Sequence, residues 1–247
     1  DVPAQSQVQL DDLAALAAAS APVEGSFVVT SRSGPAMAGF TVIDNATNDP
    51  AWSGPAVPPG PLTIPAVVHS AGAHGAEYRT DLFFFNPDPV ARTVPLRGAL
   101  WTGATWEFST TVTLAPGESK RIPDALFTLF RLSGVARLSF FSGFPDGGVA
   151  VTSRTHTLLP DGSTYGMLVP PLTPAQVAAA GETLEILGAT GGSSSRTNLS
   201  LVKLDQTPGR VDVRIFDESG ALLDGFEREL PGYGGVQIDD LFRARGL

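Results

Sequence analysis

Residues 108–114 read Phe-Ser-Thr-Thr-Val-Thr-Leu, and their odd-numbered positions are all serine or threonine. An alternation with a period of two places the two sets of side chains on opposite faces of a β-strand. Residues 211–215, Val-Asp-Val-Arg-Ile, repeat the pattern with charged residues on the face expected to meet water. Turn-forming stretches such as 102–104, Thr-Gly-Ala, and 218–220, Glu-Ser-Gly, separate the runs. The sequence therefore predicts short strands joined by tight turns.

The fold class follows from the spacing of these strands. About seven strands in roughly 115 residues, with a turn every 8–12 residues, are typical of an Ig-like antiparallel β-sandwich. Two short helices are expected, over residues 124–132 and 173–180, and the second begins with Thr173 as N-cap and Pro174 at its first position. We predict an all-β fold of two Ig-like antiparallel β-sandwich units of about 115 residues each, with short helices.

An internal repeat with a spacing near 115 residues supports two units. The matching segments are 79–82 and 196–199 (Arg-Thr-Asp-Leu and Arg-Thr-Asn-Leu), 122–127 and 238–242 (Ile-Pro-Asp-Ala-Leu-Phe and Ile-Asp-Asp-Leu-Phe), 29–32 and 151–154 (both Val-Thr-Ser-Arg), and 8–13 and 236–241 (Val-Gln-Leu-Asp-Asp-Leu and Val-Gln-Ile-Asp-Asp-Leu).

Each unit has a front half, which ends at the Asp-Leu-Phe segment, and a back half, which ends at a Pro-Pro pair. The halves follow one another as back (about 1–60), front (76–127), back (134–171) and front (190–247). The repeat is thus circularly out of phase with the chain. We predict one complete sandwich repeat at 72–172, and a second sandwich formed from the half-repeats 1–60 and 186–247.

That second sandwich can close in three ways. The two half-repeats can pair within the chain, or they can pair between neighbouring chains. In the third case the chain is cut from a longer array, whose neighbouring repeats would complete each half. Residues 2–10 and 230–238 match the same strand of a sandwich, so closure within the chain leaves one of them spare. The candidate inter-unit strand residues are Val8, Leu10, Val236 and Ile238.

Composition excludes several function classes. The 247 residues carry a net charge of −9, which disfavours non-specific nucleic-acid binding. With no cysteine, the chain has no disulfide, thiolate nucleophile or zinc ribbon. No apolar run reaches the roughly 18 residues of a membrane-spanning helix.

Catalytic and metal sites are not predicted. The histidines are His69, His74 and His156; the first two lie in a spacing that matches no metal motif, and His156 is expected on a solvated strand face. No Gly-x-Ser-x-Gly, Walker or Rossmann pattern occurs. We therefore expect a non-enzyme without cofactor.

Clustered aspartates have structural explanations. The loop 44–50, Asp-Asn-Ala-Thr-Asn-Asp-Pro, could ligate calcium, but its repeat counterpart near residues 159–162 is a plain hairpin loop, which favours a turn. Asp124, the Asp11-Asp12 pair and the Asp239-Asp240 pair are each expected to cap a short helix.

Trp101 and Trp106 flank the turn 102–105 and are expected to form a cross-strand pair. Three roles stay open for them: stacking on sugar rings, anchoring a protein interface, and packing their own hairpin. The corresponding positions of the other unit are not tryptophan, so the sandwich itself does not require them.

The string Tyr-Arg-Thr-Asp-Leu-Phe-Phe-Phe-Asn-Pro at 78–87, with the Leu-Ala-Pro-Gly, Val-Thr-Ser-Arg-Thr and Pro-Asp-Gly-Ser-Thr-Tyr-Gly segments that follow, resembles the tandem Ig-like repeats of large exported proteins of high-GC bacteria. The resemblance is one of style and covers nearly the whole chain. It implies a secreted or cell-surface, non-catalytic module used for display, adhesion or assembly.

Two functions are therefore expected. The first is a non-catalytic extracellular structural protein, such as a filament or surface-layer subunit, whose copies join head-to-tail through complementing half-sandwiches. The alternative is a carbohydrate- or protein-binding adhesion module. The expected partners are accordingly other copies of the chain, with another protein or a glycan as the alternative.

Overall fold

The computed structural model describes residues 8–11, 25–32, 37–44, 46–54, 60–72, 75–102, 107–144, 147–159, 161–193 and 195–247. Within these residues the chain forms antiparallel strands and only short helices, which confirms the predicted all-β class. The strands are β1 (Phe40–Asp44), β2 (Asp49–Ser53), β3 (Pro61–Ala71), β4 (Glu77–Phe85), β5 (Arg92–Leu100), β6 (Phe108–Leu114), β7 (Ser119–Ile122), β8 (Gly134–Phe141), β9 (Gly143–Phe144), β10 (Gly147–Gly148), β11 (Ala150–Leu158), β12 (Thr164–Val169), β13 (Leu199–Val202), β14 (Gly209–Phe216), β15 (Leu222–Leu230) and β16 (Gly235–Ile238). The helices are α1 (Ala125–Phe130), α2 (Leu241–Ala244) and a 3-10 turn at Pro174–Gln176.

Eight strands form one antiparallel sheet in the order β12-β11-β4-β3-β8-β5-β6, with β7 paired to β4. Strand β4 is bonded along both edges: β11 follows one edge, while β3 and β7 share the other. Strand β3 lies before residue 72, where the predicted complete repeat begins, and it pairs with both β4 and β8.

The sheet encloses one hydrophobic core. In β6, Val112 and Leu114 are buried while Thr111 and Thr113 are exposed, as the period of two predicts. Strands from both ends of the sheet order contribute to the same core, so the sheet folds over on itself. The buried residues of this cluster are Leu62, Ile64, Val67, Leu82, Phe84, Val94, Leu96, Val112, Leu114, Ile122, Ala125, Leu126, Ala136, Leu138, Phe140, Val149 and Val151.

Helix α1 covers the core with Leu126, but its N-terminus differs from expectation. Asp124 has left-handed backbone angles (φ 47°, ψ 57°) and makes no side-chain capping bond. Its backbone N–H instead donates to Asp81 Oδ1 at 2.9 Å, and its carboxylate accepts from His69 Nδ1 at 2.8 Å. The prediction that Asp124 caps the helix with its side chain is therefore wrong, because its carboxylate is bonded to His69 of β3 instead of the first turn of the helix.

The helix predicted over 173–180 is a single 3-10 turn. Thr173 precedes it and Pro174 opens it, as expected. Val177 then turns extended (φ −113°, ψ 127°), so the helix does not continue.

The described ranges contain four further sheets of two strands each, and two of these share pairing registers with the eight-stranded sheet. Leu82 lies opposite Ile122 in the β4–β7 pair, and Leu199 lies opposite Ile238 in the β13–β16 pair. These are the residues that the repeat aligns.

The β14–β15 pair has the same register as the β5–β6 pair that the repeat aligns with it. Arg92 lies opposite Leu114 in the β5–β6 pair, and Gly209 lies opposite Leu230 in the β14–β15 pair.

The turn before each α-helix corresponds as well. Asp240 is left-handed like Asp124 (φ 46°), and its N–H donates to Asn198 Oδ1 at 3.0 Å, as that of Asp124 does to Asp81. Like Asp124, Asp240 makes no side-chain capping bond, so the cap predicted for it is also wrong.

Leu82 and Leu199 form a matched pair for comparing how deeply the eight-stranded sheet and the β13–β16 pair bury aligned side chains. Leu82 is fully buried, whereas Leu199 is half-buried. We expect Leu82→Ala to lower the free energy of unfolding by about 2–5 kcal/mol, and Leu199→Ala by clearly less, because less apolar surface loses its packing. Urea denaturation followed by circular dichroism measures both, and an equal loss would contradict the difference in enclosure.

Candidate functional site

The C-terminal segment, residues 183–247, contains strand pairs with uncovered edges. Strand β13 pairs with β16, and β14 pairs with β15; in the described ranges neither pair has a further strand beside it. In the eight-stranded sheet, by contrast, β4 is flanked along both edges and β5 lies between β8 and β6. An unpaired strand edge presents backbone donors and acceptors on which another strand can add.

Residues 183–187, Thr-Leu-Glu-Ile-Leu, occupy the repeat position of β3. Applying the spacing that relates residues 79–82 to 196–199 places Leu184 at the position of Val67. Val67 is fully buried opposite Ala136 of β8, whereas Leu184 is 58% exposed and Ile186 is 71% exposed. The difference arises because residues 183–187 have no strand partner within the described part of the chain.

Residues 25–32 are the second exposed apolar segment. Val29 opens the Val-Thr-Ser-Arg match to β11, yet it is 62% exposed, whereas its counterpart Val151 is 2% exposed. Val28 is 70% exposed, and Trp52, in the β1–β2 hairpin that follows, is 69% exposed.

The β1–β2 hairpin is tethered to the outer edge strand β12. Asp44 Oδ2 accepts from the backbone N–H and the hydroxyl of Thr164, both at 2.9 Å. Asp49 Oδ2 accepts from the N–H of Gly166 at 2.8 Å, and Thr47 Oγ1 donates to the Thr164 carbonyl at 3.0 Å. The hydrogen bonds from Thr164 are the main cause that lowers the pKa of Asp44 to about 2.

The hairpin loop itself is the turn that the sequence predicts. Asp44 Oδ1 accepts from the N–H groups of Ala46 and Thr47 at 2.9 and 3.2 Å. Among the residues that the structure describes, no group of three or more histidine, cysteine, aspartate or glutamate side chains could hold a metal ion.

The C-terminal segment contacts the eight-stranded sheet through Trp101, which is 8% exposed. The N–H of Gly235 donates to the Trp101 carbonyl at 3.1 Å, and a Cβ at Gly235 would lie 2.5 Å from the indole ring. Trp101 Nε1 donates to the Pro65 carbonyl at 3.0 Å. The Arg137 guanidinium of β8 lies 4.3 Å from the Tyr233 ring centre, which extends the contact.

These surroundings are those of a packing residue, because the Trp101 ring lies against the chain's own backbone. Trp106 lies outside the described residues. Sequence reasoning missed the contacts of Tyr233 with Arg137 and of Gly235 with Trp101, since each joins residues far apart in the sequence. It also missed residues 183–187, although extending the repeat by one strand would have found them.

The four candidate inter-unit strand residues lie in two environments. Val236 is half-buried and Ile238 is buried, and both belong to β16. Val8 and Leu10 are 52% and 61% exposed and lie outside any strand. The same sequence pattern is thus paired at one end and uncovered at the other.

A charge pair with a buried carboxylate and an exposed arginine lies between β4 and β7. Asp81 is 2% exposed, and its Oδ2 accepts from Arg121 at 2.8 Å. The aligned residues of the C-terminal segment are the neutral Asn198 and Gln237. Both oxygens of Asp81 are used within the fold, so the pair is structural.

The two described histidines also serve the fold. His69 stacks on Phe127 with ring centres 4.9 Å apart. His156 is 7% exposed, so the expectation of a solvated ring is wrong: it lies inside the sheet, opposite Arg79 of β4 and in close contact with Gly166 of β12. Burial is the main cause that lowers the pKa of His156 and favours its neutral form.

Known proteins show little similarity to this chain. No protein-family model matches the chain, and no curated protein matches it either. The solved structure of Thermotoga maritima 1070 is 13% identical with a TM-score of 0.35, and the match covers 47% of this chain and 94% of that one. A TM-score this low does not establish a shared fold. Over the described residues, no helix is long and apolar enough to cross a membrane.

Trp101 and Trp52 form a matched pair for testing the contact of the C-terminal segment. We expect Trp101→Ala to lower the free energy of unfolding by about 3–5 kcal/mol, because it empties a buried site. Trp52→Ala should change it by about 0.5 kcal/mol or less, since that ring is exposed. Urea denaturation measures both. If Trp101 bound sugar instead, Trp101→Ala would abolish glycan binding and leave the free energy of unfolding unchanged.

The tether of Asp44 gives a pH prediction. Because its pKa falls from the ordinary 3.8 to about 2 in the folded chain, its stabilising contribution is present above pH 3.8 and is lost as the pH falls through about 2. The Thr164 amide resonance should therefore titrate near pH 2 in NMR spectra, and this titration should vanish in Asp44→Asn. A midpoint near 3.8 would mean that the hydrogen bonds do not form.

Proposed function

We propose that the protein is a non-catalytic structural subunit that assembles head-to-tail with copies of itself into a filament or surface layer outside the cell. In this proposal the chain carries two Ig-like sandwich units. One is complete within the chain, and the other is completed between chains, when the front half of one copy meets the back half of the next.

The observation that carries the proposal is the shared register of the strand pairs. Strands β13 and β16 pair as β4 and β7 do, and β14 and β15 pair as β5 and β6 do. The C-terminal segment therefore already has the internal arrangement of a front half. What differs is that the strands which cover β4 and β5 have no counterpart beside β13 and β14 within the described ranges.

Exposed apolar side chains support association. Leu187 at 90%, Phe216 at 53% and Leu222 at 58% are exposed in the C-terminal segment, and the N-terminal residues 27–29 are exposed as well. Contiguous exposed apolar surface rimmed by polar residues is typical of a protein interface. Covering both segments in one contact would remove these exposed side chains from water.

Association between chains is favoured over closure within a chain because the two segments are held at different places. The β1–β2 hairpin is bonded to β12, and Ser26 Oγ lies 2.9 Å from Ser119 Oγ of β7. The C-terminal segment contacts the end of β5 and the face of β8. Closure within the chain would have to bring the two segments together across the eight-stranded sheet to which each is attached.

The extracellular location rests on the resemblance to exported Ig-like repeats. The absence of cysteine is compatible with that location. The net charge of −9 supports a protein whose partners are not nucleic acids.

Light scattering coupled to size exclusion across a dilution series tests the proposal. We expect species at multiples of 25.7 kDa that grow with concentration. A mass of 25.7 kDa at every concentration would overturn the proposal.

A pair of charge substitutions tests whether the exposed C-terminal surface is responsible. Ile186→Glu should raise the concentration needed for association about tenfold or more, because a carboxylate would be buried in an apolar contact. Val90→Glu, at an exposed apolar position in the loop between β4 and β5, is the control and should leave association unchanged. Equal effects from the two variants would place the contact elsewhere.

A further inference from the structure

We infer that residues 29–32 of one copy add as a strand to the open edge of β13 in a second copy, antiparallel, with Val29 opposite Leu201 and Arg32 opposite Asn198. The inference rests on the proposed head-to-tail assembly and names the strand that joins the copies.

The template is the pairing of β11 with β4 inside the chain. Residues 151–154 of β11 have the same sequence, Val-Thr-Ser-Arg, as residues 29–32. There Val151 lies opposite Phe84, and Arg154 lies opposite Asp81. The repeat aligns Phe84 with Leu201 and Asp81 with Asn198, which sets the register of the proposed pair.

The register of β16 identifies which edge of β13 is open. Leu82 of β4 lies between Ser153 of β11 on one edge and Ile122 of β7 on the other. Leu199, its counterpart, lies opposite Ile238, the counterpart of Ile122. Strand β16 thus fills the edge that β7 fills. Among the described strands nothing occupies the other edge of β13, which corresponds to the edge of β4 that β11 occupies.

The same comparison excludes the other candidate strand. Residues 8–10 match residues 236–238, which are part of β16 and already bonded to β13. Val8 and Leu10 would therefore have to displace a strand, whereas residues 29–32 would meet an open edge.

The faces of the proposed pair agree with the pleat. Directly opposite residues of an antiparallel pair point to the same face. Val151 and Phe84 share the buried face of the template, each 2% exposed. Val29 and Leu201 would take these positions, which covers a valine that is 62% exposed in the single chain.

The residues directly before the proposed strand 29–32 are held in place by contacts within the chain. Ser26 Oγ lies 2.9 Å from Ser119 Oγ, and the Phe27 ring packs edge-on against Phe40 at 5.6 Å. Addition of an extended segment to a sheet edge gains backbone hydrogen bonds along its length, and a pre-positioned segment loses less conformational entropy in doing so.

Site-specific disulfides test the register, and the cysteine-free chain makes the experiment clean. The template has Thr152 opposite Phe83, which predicts Thr30 opposite Ser200. Their Cα atoms would be about 4.5–5.5 Å apart, within the range that a disulfide spans. Thr30→Cys and Ser200→Cys are made as separate full-length variants, mixed, and oxidised mildly.

We expect a covalent heterodimer of the two variants on non-reducing gels, with the 30–200 linkage identified by peptide mass. The control replaces Ser200→Cys by Leu199→Cys. A shift of one residue turns the thiol to the opposite face of the strand, so this mixture should give about tenfold less heterodimer. Equal yields from the two mixtures would overturn the register.

The double variant Thr30→Cys with Ser200→Cys separates the remaining outcomes. A covalent ladder supports the inference, whereas a disulfide confined to single chains overturns it. If light scattering shows assembly of the unmodified chain but no 30–200 linkage forms, the strand assignment fails and the proposed function stands. If the unmodified chain is monomeric throughout, the proposed function itself fails.

Hydrogen exchange on the unmodified chain gives a readout that does not depend on the variants. Within residues 29–32 and 198–201, the backbone amides that point towards the new strand pair, which belong to every second residue, should become protected at least about tenfold as concentration rises. Protection of residues 8–10 in their place would overturn the assignment.

Discussion

Hydrogen bonding of β4 along both edges is the constraint on which the described structure depends. One edge carries β11, and the other carries β3 at its first part and β7 at its second. Through β3 the sheet continues to β8, β5 and β6, so β4 joins the strands at the two ends of the order. Its Leu82 and Phe84 lie in the core that both groups of strands cover. Pairing along both edges satisfies most of the β4 backbone and holds in place the strands whose apolar faces enclose the core.

The C-terminal segment shows what the same local pattern does without such neighbours. Its strand pairs keep the registers of the eight-stranded sheet, because register depends on turn length and on which face is apolar. Its described core is small, with Ile215, Ile238 and Leu241 as the buried members. Pairing is thus a local property here, whereas burial depends on strands that come from elsewhere in the sequence.

Differences between the aligned residues follow the same logic. Asp81 is enclosed and is paired with Arg121, since an unpaired buried carboxylate costs several kcal/mol. The corresponding Asn198 and Gln237 are neutral and lie in a less enclosed strand pair. Asn198 keeps the one function that both positions share, which is to accept the backbone N–H at the start of the short helix. The helix start is conserved between the two segments, and the charge pair is not.

The sequence by itself determined the all-β class, the alternation of β6, the turn at residues 44–50 and the pairs that the repeat aligns. All of these depend on residues close together in the chain or on matches at a fixed spacing. Only the tertiary structure decided that Asp81 accepts the N–H of Asp124, that Gly235 covers Trp101, and that the β1–β2 hairpin is bonded to β12. It also decided that His156 is buried rather than solvated. These contacts join segments far apart in sequence, and their partners are set by which surfaces meet, a property that no local pattern of residues encodes.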